Sequence, residues 1–372
     1  MKPKILVDSI SLLSPLTGIG RYTYEISKYL SKRDDFELNY FYGYYSNKLL
    51  EESGNPDLKN LKAILSKVPL LKKIIRKILL ISSKLFTNKY DLYWQPNFIP
   101  VDGIKAKKTV TSVHDFSFIL HREFHPKERI EYFEKYFFKN ISRSDRIITG
   151  SNYSKNEILE NLDFKEDKVK VIYHGINHNI FKVHKEIKID FEIPKKFILS
   201  VGSIEPRKNL LGLLKAYSLL DDTTRSEYKL VLVGFKGWEN NELMELINAN
   251  KKNIHYLGFI SDEELAKVYN LASCFVFASF YEGFGLPPLE SMACGTPVIV
   301  SNLTSMPEVC ADAAIYCDPY NIYDIKEKVE LVLSDSILQN NMIEKGLKRA
   351  GEFTWEKSAN EHAKVFREVL KS

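Results

Sequence analysis

Short apolar runs alternate with stretches of helical periodicity along the first half of the chain. The β-prone runs cover residues 4–7, 91–94, 109–113 and 146–149. Between them, residues 22–30 and 127–140 repeat apolar side chains at the i, i+3 and i+4 spacing of an amphipathic helix. Strands that alternate with helices in this way predict an α/β domain.

The second half repeats the alternation with more strongly apolar strands. Residues 197–201, 229–233, 254–257, 274–277 and 297–300 are nearly continuous apolar runs. Such runs are typical of parallel strands that are covered by helices on both faces. A helix is predicted over residues 262–271, with Ser261 as its N-cap. The chain is therefore predicted to form two doubly wound, Rossmann-like domains that face each other across a cleft.

A polar, mixed-charge stretch at residues 178–194 separates the two patterns. We place an acceptor-binding domain at residues 1–183 and a nucleotide-binding domain at 184–355. Residues 356–372 form one amphipathic helix after the second sheet and are expected to pack back onto the first domain. The cleft between two such domains is the natural place for a ligand.

Composition restricts the class of protein. The 372 residues include 44% hydrophobic and 12% aromatic residues, enough for the cores of about two or three domains. The first apolar run stops at Asp8, too early for a signal peptide, so we expect a cytoplasmic protein. The cysteines have no metal-ligand spacing and are interpreted as reduced thiols, at Cys274, Cys294, Cys310 and Cys317.

Charge is distributed unevenly between the halves. Residues 1–183 carry 31 Lys/Arg against 21 Asp/Glu, whereas residues 184–372 carry 22 against 27. A basic half can bind nucleic acid, a membrane surface or anionic substrates. The chain has no helix-turn-helix, RNA-binding or zinc-finger signature, so we expect no nucleic-acid partner.

Residues 70–86 combine apolar residues with five basic residues and no acid. The apolar stretches are too short to span a bilayer. We interpret the segment as an amphipathic helix that lies on an anionic membrane surface, which would make the protein peripheral at the inner face of the cytoplasmic membrane. The alternative is an ordinary helix that covers the first sheet with its lysines in water.

A glycine-containing loop follows the first strand. Gly18 and Gly20 are predicted to lie between that strand and the next helix, where backbone N–H groups and a helix N-terminus can approach a phosphate or a sugar. The third glycine of a dinucleotide fingerprint would fall at Thr23, so that motif is not matched. A simple tight turn is the alternative interpretation.

Two further clusters follow predicted strands. His114 and Asp115 lie at the carboxyl end of a strand, where open α/β sheets bind ligands, and Asp115 is expected to orient His114 or to contact a substrate hydroxyl. A purely structural His–Asp pair is the alternative. Arg207 and Lys208 follow a strand and a glycine turn, and such adjacent cations beside a helix N-terminus favour a diphosphate site.

Residues 280–290 carry two carboxylates, Glu282 and Glu290, separated by seven residues. Pro287 or Pro288 suits the first turn of a helix that Gly295 ends. One carboxylate can bind sugar hydroxyls and the other ribose hydroxyls, while the helix end faces phosphate. Free backbone N–H groups are expected between the two carboxylates, at Gly283, Phe284, Gly285 and Leu286.

These motifs closely resemble the retaining GT-B glycosyltransferases of family 4. The sugar-nucleotide signature stands at residues 282–290, the phosphate pair at Arg207 and Lys208, and the glycine loop at 18–20. Further similar stretches are residues 151–155, 171–175, 256–260 and 306–308, so the resemblance extends over nearly the whole chain.

The resemblance implies roles for individual residues. Glu282 would contact the donor hexose, Glu290 the ribose, and His114 would lie beside the transferred sugar. The backbone at Phe259 and Ile260 would contact the base, and Gly18 or Gly20 the phosphates. Some relatives carry Arg where this chain has Ser203, so the phosphate charge would fall more heavily on Arg207 and Lys208.

The same resemblance implies the reaction. Family members are thought to attack the donor from the face that the diphosphate leaves, which retains configuration without a protein nucleophile. The motifs look most like bacterial mannosyltransferases of O-antigen and capsule assembly, so we expect GDP-mannose as donor, a lipid-linked glycan as acceptor, and neither metal nor cofactor. The alternatives are a UDP- or dTDP-sugar donor, a sugar-nucleotide epimerase, a pyridoxal-phosphate phosphorylase, and a binding protein without turnover.

Overall fold

The computed structural model of the chain describes residues 2–13, 18–50, 90–235 and 241–372. Two parallel sheets flanked by helices confirm the predicted pair of α/β domains. The basic segment 70–86 lies outside the described residues, so the prediction of a membrane-surface helix stays a prediction. Within the described ranges, no helix combines the length and apolar character needed to cross a bilayer.

The first sheet has the strand order β3-β2-β1-β4-β5-β6-β7 and is parallel except for the β2–β3 pair. Its strands are β1 (Lys4–Asp8), β2 (Glu37–Phe41), β3 (Tyr45–Ser46), β4 (Tyr90–Gln95), β5 (Ala106–Ser112), β6 (Arg146–Thr149) and β7 (Val169–Val171). Its helices are α1 (Ile19–Leu30), α2 (Ser117–Leu120), α3 (Lys127–Ile141) and α4 (Asn152–Asn161), with 3-10 turns at Ile10–Leu13, Arg122–Phe124 and Glu166–Lys168.

The second sheet has the order β10-β9-β8-β11-β12-β13 and is parallel throughout. Its strands are β8 (Phe197–Val201), β9 (Lys229–Val233), β10 (Ile254–Gly258), β11 (Cys274–Phe277), β12 (Val298–Ser301) and β13 (Ile315–Cys317). Its helices are α5 (Leu210–Ser218), α6 (Asp222–Glu227), α7 (Asn241–Ala249), α8 (Asp262–Leu271), α9 (Leu286–Ala293), α10 (Met306–Cys310), α11 (Ile322–Ser334) and α12 (Ser336–Gly351). 3-10 turns occupy Pro206–Lys208 and Ala311–Ala313.

Local chemistry explains where the second-domain elements begin. β11 is buried along its whole length, as a strand covered on both faces must be. α8 begins at the predicted N-cap: the Ser261 side chain accepts the Glu264 N–H, and the Glu264 carboxylate accepts the Ser261 N–H. This capping box satisfies two helix-end donors at once.

The last helix, α13 (Trp355–Lys371), returns to the first domain. Its buried face joins the core of the first sheet beside Tyr22 and Trp94. His362 Nδ1 lies 2.8 Å from the Ser358 carbonyl oxygen and must donate to it, so Nε2 of the neutral ring accepts the Tyr22 hydroxyl at 2.6 Å. Burial lowers the pKa of His362 to about 4, which keeps the ring neutral.

The chain thus crosses between the domains twice, and the two crossings touch. The Ile176 N–H donates to the Phe353 carbonyl at 3.2 Å, and Ile176 forms a parallel bridge with Thr354. A Cβ added at Gly175 would overlap the Trp355 backbone nitrogen. Only glycine fits where these two segments pass each other.

Candidate functional site

The carboxyl ends of the second-domain strands face the first domain. β8 leads into the turn with Arg207 and Lys208, and β11 leads into the loop with Glu282. Lys208 Nζ lies 2.6 Å from Glu282 Oε1, and Arg207 Nη1 lies 3.1 Å from Glu282 Oε2. The structure therefore brings the predicted phosphate-binding cations and the predicted sugar-binding carboxylate into one ion cluster.

A second carboxylate completes this cluster. Glu205 Oε2 lies 3.1 Å from Arg207 Nε, and Glu205 Oε1 accepts the Ser203 hydroxyl at 2.5 Å. Burial raises the pKa of Glu205, but the charges of Arg207 and Lys208 outweigh it and leave this pKa below its ordinary value. Sequence analysis missed Glu205, although its place two residues before Arg207 was a usable signal. Two cations and two carboxylates thus balance each other in this cluster.

The helix with the other predicted carboxylate begins where the sequence indicates. α9 follows Gly285, whose φ of +97° favours glycine, and Pro287 and Pro288 stand in its first turn. Gly295 ends the helix with a φ of +75°. Glu290 lies one turn into α9 and is almost completely buried.

Glu290 is paired across the cleft. Arg21, in the first turn of α1, places Nη1 2.6 Å from Glu290 Oε1 and Nη2 2.5 Å from Asp262 Oδ1. Burial raises the pKa of Glu290 to about 7 against the opposing charge of Arg21. Sequence analysis missed both Arg21 and Asp262. The available signal was the position of Arg21 directly after Gly20.

The two glycines before Arg21 lie in different environments. Gly18 is exposed at the N-cap of α1 with a φ of +47°. Gly20 is buried inside the first turn of α1, so the prediction that both glycines lie in the loop is wrong for Gly20. α1 begins at Ile19, three residues before the predicted start at residue 22, because Gly20 already belongs to the buried face of the helix. The phosphate-binding role of either glycine stays a prediction.

His114 follows β5 and reaches the cleft from the first domain. Its Nε2 lies 2.7 Å from the Pro96 carbonyl oxygen and must donate to it, because a carbonyl only accepts. Burial lowers the pKa of His114, so the ring is neutral and Nδ1 is an acceptor. The rings of Tyr22 and Phe98 pack edge-on against it. His114 is thus held rigidly beside the Glu282 loop, since a Cβ added at Gly283 would overlap its carbonyl oxygen.

Asp115 does not hold the His114 ring. Its Oδ1 accepts the Ser117 N–H at 3.0 Å and the Ser117 hydroxyl at 2.7 Å, and so orders the start of α2. Burial raises the pKa of Asp115, but the charge of Arg207 and the Ser117 bonds leave it below the ordinary value. The expectation that Asp115 orients His114 is therefore wrong, because the ring is held by the Pro96 carbonyl. The carboxylate instead adds a negative charge that faces Arg207 across the cleft.

The loop before Glu282 is held by both domains. The Tyr281 hydroxyl accepts the Phe116 N–H at 2.9 Å and donates to Glu157 on α4. The Ser151 hydroxyl donates to the Gly283 carbonyl at 2.7 Å. Burial raises the pKa of Glu157 to about 7. These contacts hold the two domains together around the ion cluster.

The remaining predicted donor residues lie after β10 and at the start of α9. Phe259 is 54% exposed and stacks on Phe235, with ring centroids 4.3 Å apart and planes inclined by 17°. Ile260 packs against the second-domain core, as does Leu286 at the start of α9. Phe284 is buried against the His174 ring. The end of β10 thus offers an open aromatic surface beside the cleft.

Two doubly wound domains that close on a cleft define the GT-B architecture. A cationic turn beside buried carboxylates at the carboxyl edge of the second sheet suits a diphosphate with sugars on either side. The fold and site together are those of a glycosyltransferase that uses a sugar nucleotide.

Family comparison makes the assignment specific. Residues 16–180 match the family described as Glycosyltransferase Family 4, and residues 184–349 match the family described as Glycosyl transferases group 1. The chain belongs to glycosyltransferase family 4, and it is a glycosyltransferase.

Individual relatives agree with this assignment. The O-antigen chain mannosyltransferase B of Escherichia coli is 34% identical over 95% of this chain and 96% of its own length. Among solved structures, sucrose-phosphate synthase from Thermosynechococcus elongatus has a TM-score of 0.72 and 17% identity over the full length of both chains. Anabaena HepE in complex with UDP-glucose has a TM-score of 0.69 and 16% identity, covering 98% of this chain and 99% of that one.

Proposed function

We propose that this enzyme transfers mannose from GDP-mannose, with retention of configuration, to a lipid-linked glycan in bacterial O-antigen or other surface polysaccharide synthesis. The observation that carries the proposal is the near full-length similarity to an O-antigen chain mannosyltransferase. A UDP- or dTDP-sugar donor is the alternative, because HepE, which shares the fold, was solved with UDP-glucose.

The ion cluster supports a role in donor binding. A diphosphate attracts Arg207 and Lys208 away from Glu282, and the released carboxylate can then accept hydrogen bonds from hexose hydroxyls. In the same way, ribose hydroxyls can take the place of Arg21 on Glu290. The donor would therefore replace, with its own polar groups, pairs that the two carboxylates already make, so that each buried carboxylate keeps a hydrogen-bond donor.

The proposed chemistry needs no group beyond the chain and its substrates. The acceptor oxygen attacks the anomeric carbon on the face from which the diphosphate departs. As the carbon–oxygen bond to phosphate breaks, a diphosphate oxygen takes the acceptor proton. Arg207 and Lys208 stabilise the negative charge that grows on the diphosphate. We include the absence of a metal and of a cofactor in this proposal, since these cations occupy the place where charge develops.

His114 and Phe259 would hold the two ends of the donor. The neutral His114 ring, fixed by the Pro96 carbonyl, can accept a sugar hydroxyl at Nδ1. The backbone at Phe259 and Ile260 would bind the base, with Gly18 beside the phosphates. We place the acceptor against the first domain.

We also propose that residues 70–86 bind an anionic membrane surface, which would bring the enzyme to its lipid-linked acceptor. We expect binding to anionic vesicles that weakens with added salt. Replacement of Lys72, Lys73, Arg76 and Lys77 by Gln should abolish this binding. Vesicle binding that survives those four substitutions would contradict the role of the segment.

A donor screen tests the proposed reaction. The purified protein is given GDP-mannose, UDP-glucose, UDP-N-acetylglucosamine, UDP-galactose or dTDP-rhamnose, each with synthetic lipid-linked glycans, and nucleoside diphosphate release and product mass are followed. GDP release with a hexose added to the acceptor supports the proposal. UDP or dTDP release contradicts the mannose donor, donor conversion without acceptor indicates an epimerase, and tight binding with no turnover indicates a binding protein.

The anomeric configuration of the product tests retention. NMR of the new glycosidic linkage shows whether it keeps the α-configuration of GDP-mannose. A β-linked product would contradict same-face attack.

A further inference from the structure

Four aromatic rings form a continuous stack that crosses from the second domain to the first. Tyr320 stacks on Phe280 with centroids 4.8 Å apart, Phe280 on Phe124 at 5.9 Å, and Phe124 on His121 at 5.3 Å. The planes of successive rings are inclined by 26°, 11° and 15°. We call these four side chains the aromatic ladder.

The order of the strands places the aromatic ladder relative to the donor. Along the carboxyl edge of the second sheet, β10 leads to Phe259, β8 to Arg207, β11 to Glu282 and β13 to Tyr320. In the proposed function these positions bind the base, the diphosphate and the hexose, in that order. β12 lies between β11 and β13, so Tyr320 lies two strands beyond Glu282, whereas Phe280 of the aromatic ladder is only two residues before Glu282. For the same-face attack proposed above, the acceptor must lie beside both the hexose and the departing diphosphate.

The aromatic ladder is built directly onto the donor site. The Phe280 N–H donates to the Arg207 carbonyl at 2.9 Å. The side-chain amide of Asn209, the residue after Lys208, donates to the Pro319 carbonyl at 2.7 Å and so fixes the backbone just before Tyr320. These two hydrogen bonds hold the backbone of the aromatic ladder against the cationic turn, and the Tyr320 side chain takes part in neither of them.

The aromatic ladder is exposed to solvent at its second-domain end. Tyr320 is 69% exposed, with one face of its ring on Phe280. Its N–H donates to the Asp318 carboxylate at 2.9 Å, which holds the loop in place. An ordered, exposed aromatic face has a negative quadrupole and attracts weakly positive C–H groups. The C–H face of a sugar ring has that character, whereas its hydroxyls stay in water.

We propose that the aromatic ladder, which begins on the first domain at His121 and Phe124, extends the acceptor site to the second domain, where Tyr320 stacks on a sugar ring of the acceptor glycan. This inference rests on the proposed function, because it needs a hexose donor on Glu282. The occupant is the glycan portion of the acceptor and not its lipid.

The test uses Tyr320→Ala in the full-length enzyme, with Tyr323→Ala as the matched control. Tyr323 is 61% exposed and lies three residues further on, in the first turn of α11. We expect Tyr320→Ala to raise the acceptor KM about 3- to 10-fold, the cost of one lost aromatic contact. The donor KM and the slow hydrolysis of donor without acceptor should not change. Tyr320→Trp should restore the acceptor KM, and Tyr323→Ala should match the wild type.

The acceptor is offered both as a lipid-free oligosaccharide and with its lipid attached. An increase in KM for both forms supports a glycan site, and an increase for the lipid-linked form alone overturns it. An active enzyme whose acceptor KM is unchanged in Tyr320→Ala also overturns the inference while the proposed function stands. A wild-type protein that turns over no donor with any acceptor overturns the proposed function and the ladder assignment with it.

Discussion

At the scale of single residues, Glu282 pairs with two cations, Lys208 at 2.6 Å and Arg207 at 3.1 Å. Glu290 pairs with Arg21 in the same way on the other side of the site. Each cation that suits a phosphate is thus paired with a carboxylate that suits a hydroxyl. Ligand binding would then be an exchange of partners, which costs less than stripping water from bare charges.

Lys208→Ala tests this exchange at one residue. Because the ammonium group would stabilise the departing diphosphate, we expect kcat/KM for transfer to fall about 100- to 1,000-fold. Arg207 still pairs with Glu282, so the variant should remain folded by circular dichroism. Lys215→Ala, on the exposed face of α5, is the matched control and should behave as the wild type. Transfer by Lys208→Ala at nearly the wild-type rate would contradict the donor-site assignment.

Glu157 gives a pH prediction. Its pKa is raised by burial from 4.5 to about 7 in the folded protein, near Tyr281, Tyr153, Asp115 and Glu160. Because the pKa of Glu157 is higher in the folded state, this group stabilises the fold fully when the pH is below its unfolded-state pKa. The stabilisation is lost as the pH rises through its folded-state pKa. The free energy of unfolding should therefore fall by about 1–3 kcal/mol between about pH 4.5 and 7 because of this group.

Glu157→Gln should remove that part of the pH dependence, since the amide still accepts the Tyr281 hydroxyl but does not ionise. Urea unfolding at a series of pH values measures it. Glu344, an exposed glutamate on α12, changed to Gln, is the control. An identical pH slope in Glu157→Gln and the wild type would show that Glu157 is not the group responsible.

Sequence analysis found the site residues that are close in the chain and missed the partners that are not. Arg207 and Lys208 are adjacent, and Glu282 precedes Glu290 by eight positions, so their motifs are visible in one window. Arg21 and Glu290 are 269 positions apart and meet only because α1 and α9 face the same cleft. A motif of neighbouring residues cannot reveal a pair that is so far apart in the sequence. The hydrogen-bond partner of the His114 ring was missed for the same reason, because Pro96 is 18 positions earlier in the chain, directly after β4.

At the scale of elements, the strands with continuous apolar runs were predicted and the short or polar ones were not. β8 and β9 have the predicted bounds because each residue is buried or nearly so. β2, β3 and β13 were not predicted. β2 alternates polar and apolar residues over its first four positions, a strand signal that was available and was missed. β3 has only two residues, too few for a pattern. β13 is three residues long and is defined by its pairing with β12.

The return of α13 to the first domain can be tested with Phe366→Ala. Phe366 is fully buried among first-domain residues, where it packs against the rings of Trp94 and Phe36. Removing the ring should lower the free energy of unfolding by about 3–5 kcal/mol because it leaves a cavity. Urea denaturation followed by fluorescence measures this change.

The control for that variant is Glu368→Ala, on the exposed face of the same helix. It should change stability by less than about 0.5 kcal/mol. Equal stabilities of the two variants would mean that α13 does not contribute to the first-domain core.

At the scale of the whole molecule, contacts from both domains close the cleft. The Arg21 pairs, the Tyr281 bonds and the Ser151 bond all join the first domain to the second. In the proposed function, ribose hydroxyls replace Arg21 on Glu290, so the Arg21–Glu290 pair is both a contact between the domains and part of the donor site. It therefore links domain closure to the state of the donor site.

Arg21→Met should loosen this closure by about 2 kcal/mol, because it leaves Glu290 and Asp262 without their shared cation. Small-angle X-ray scattering should show a larger radius of gyration for the ligand-free variant than for the wild type, and saturating donor should reduce it. Lys32→Met, just after the end of α1, is the control for loss of charge. Superimposable scattering curves for Arg21→Met and the wild type would show that other contacts hold the cleft shut.

The two touching crossings at Gly175 and Trp355 determine how such opening can proceed. A single flexible linker would let one domain slide, twist and tilt against the other. Two crossings joined by a hydrogen bond and a close backbone contact oppose sliding and twisting, and leave bending about their common line as the soft motion. Opening of the cleft is then a hinge rotation of one domain about the line through the two crossings. Each closure returns the same residues to contact, because only one rotation angle between the domains has to be recovered when the site reassembles.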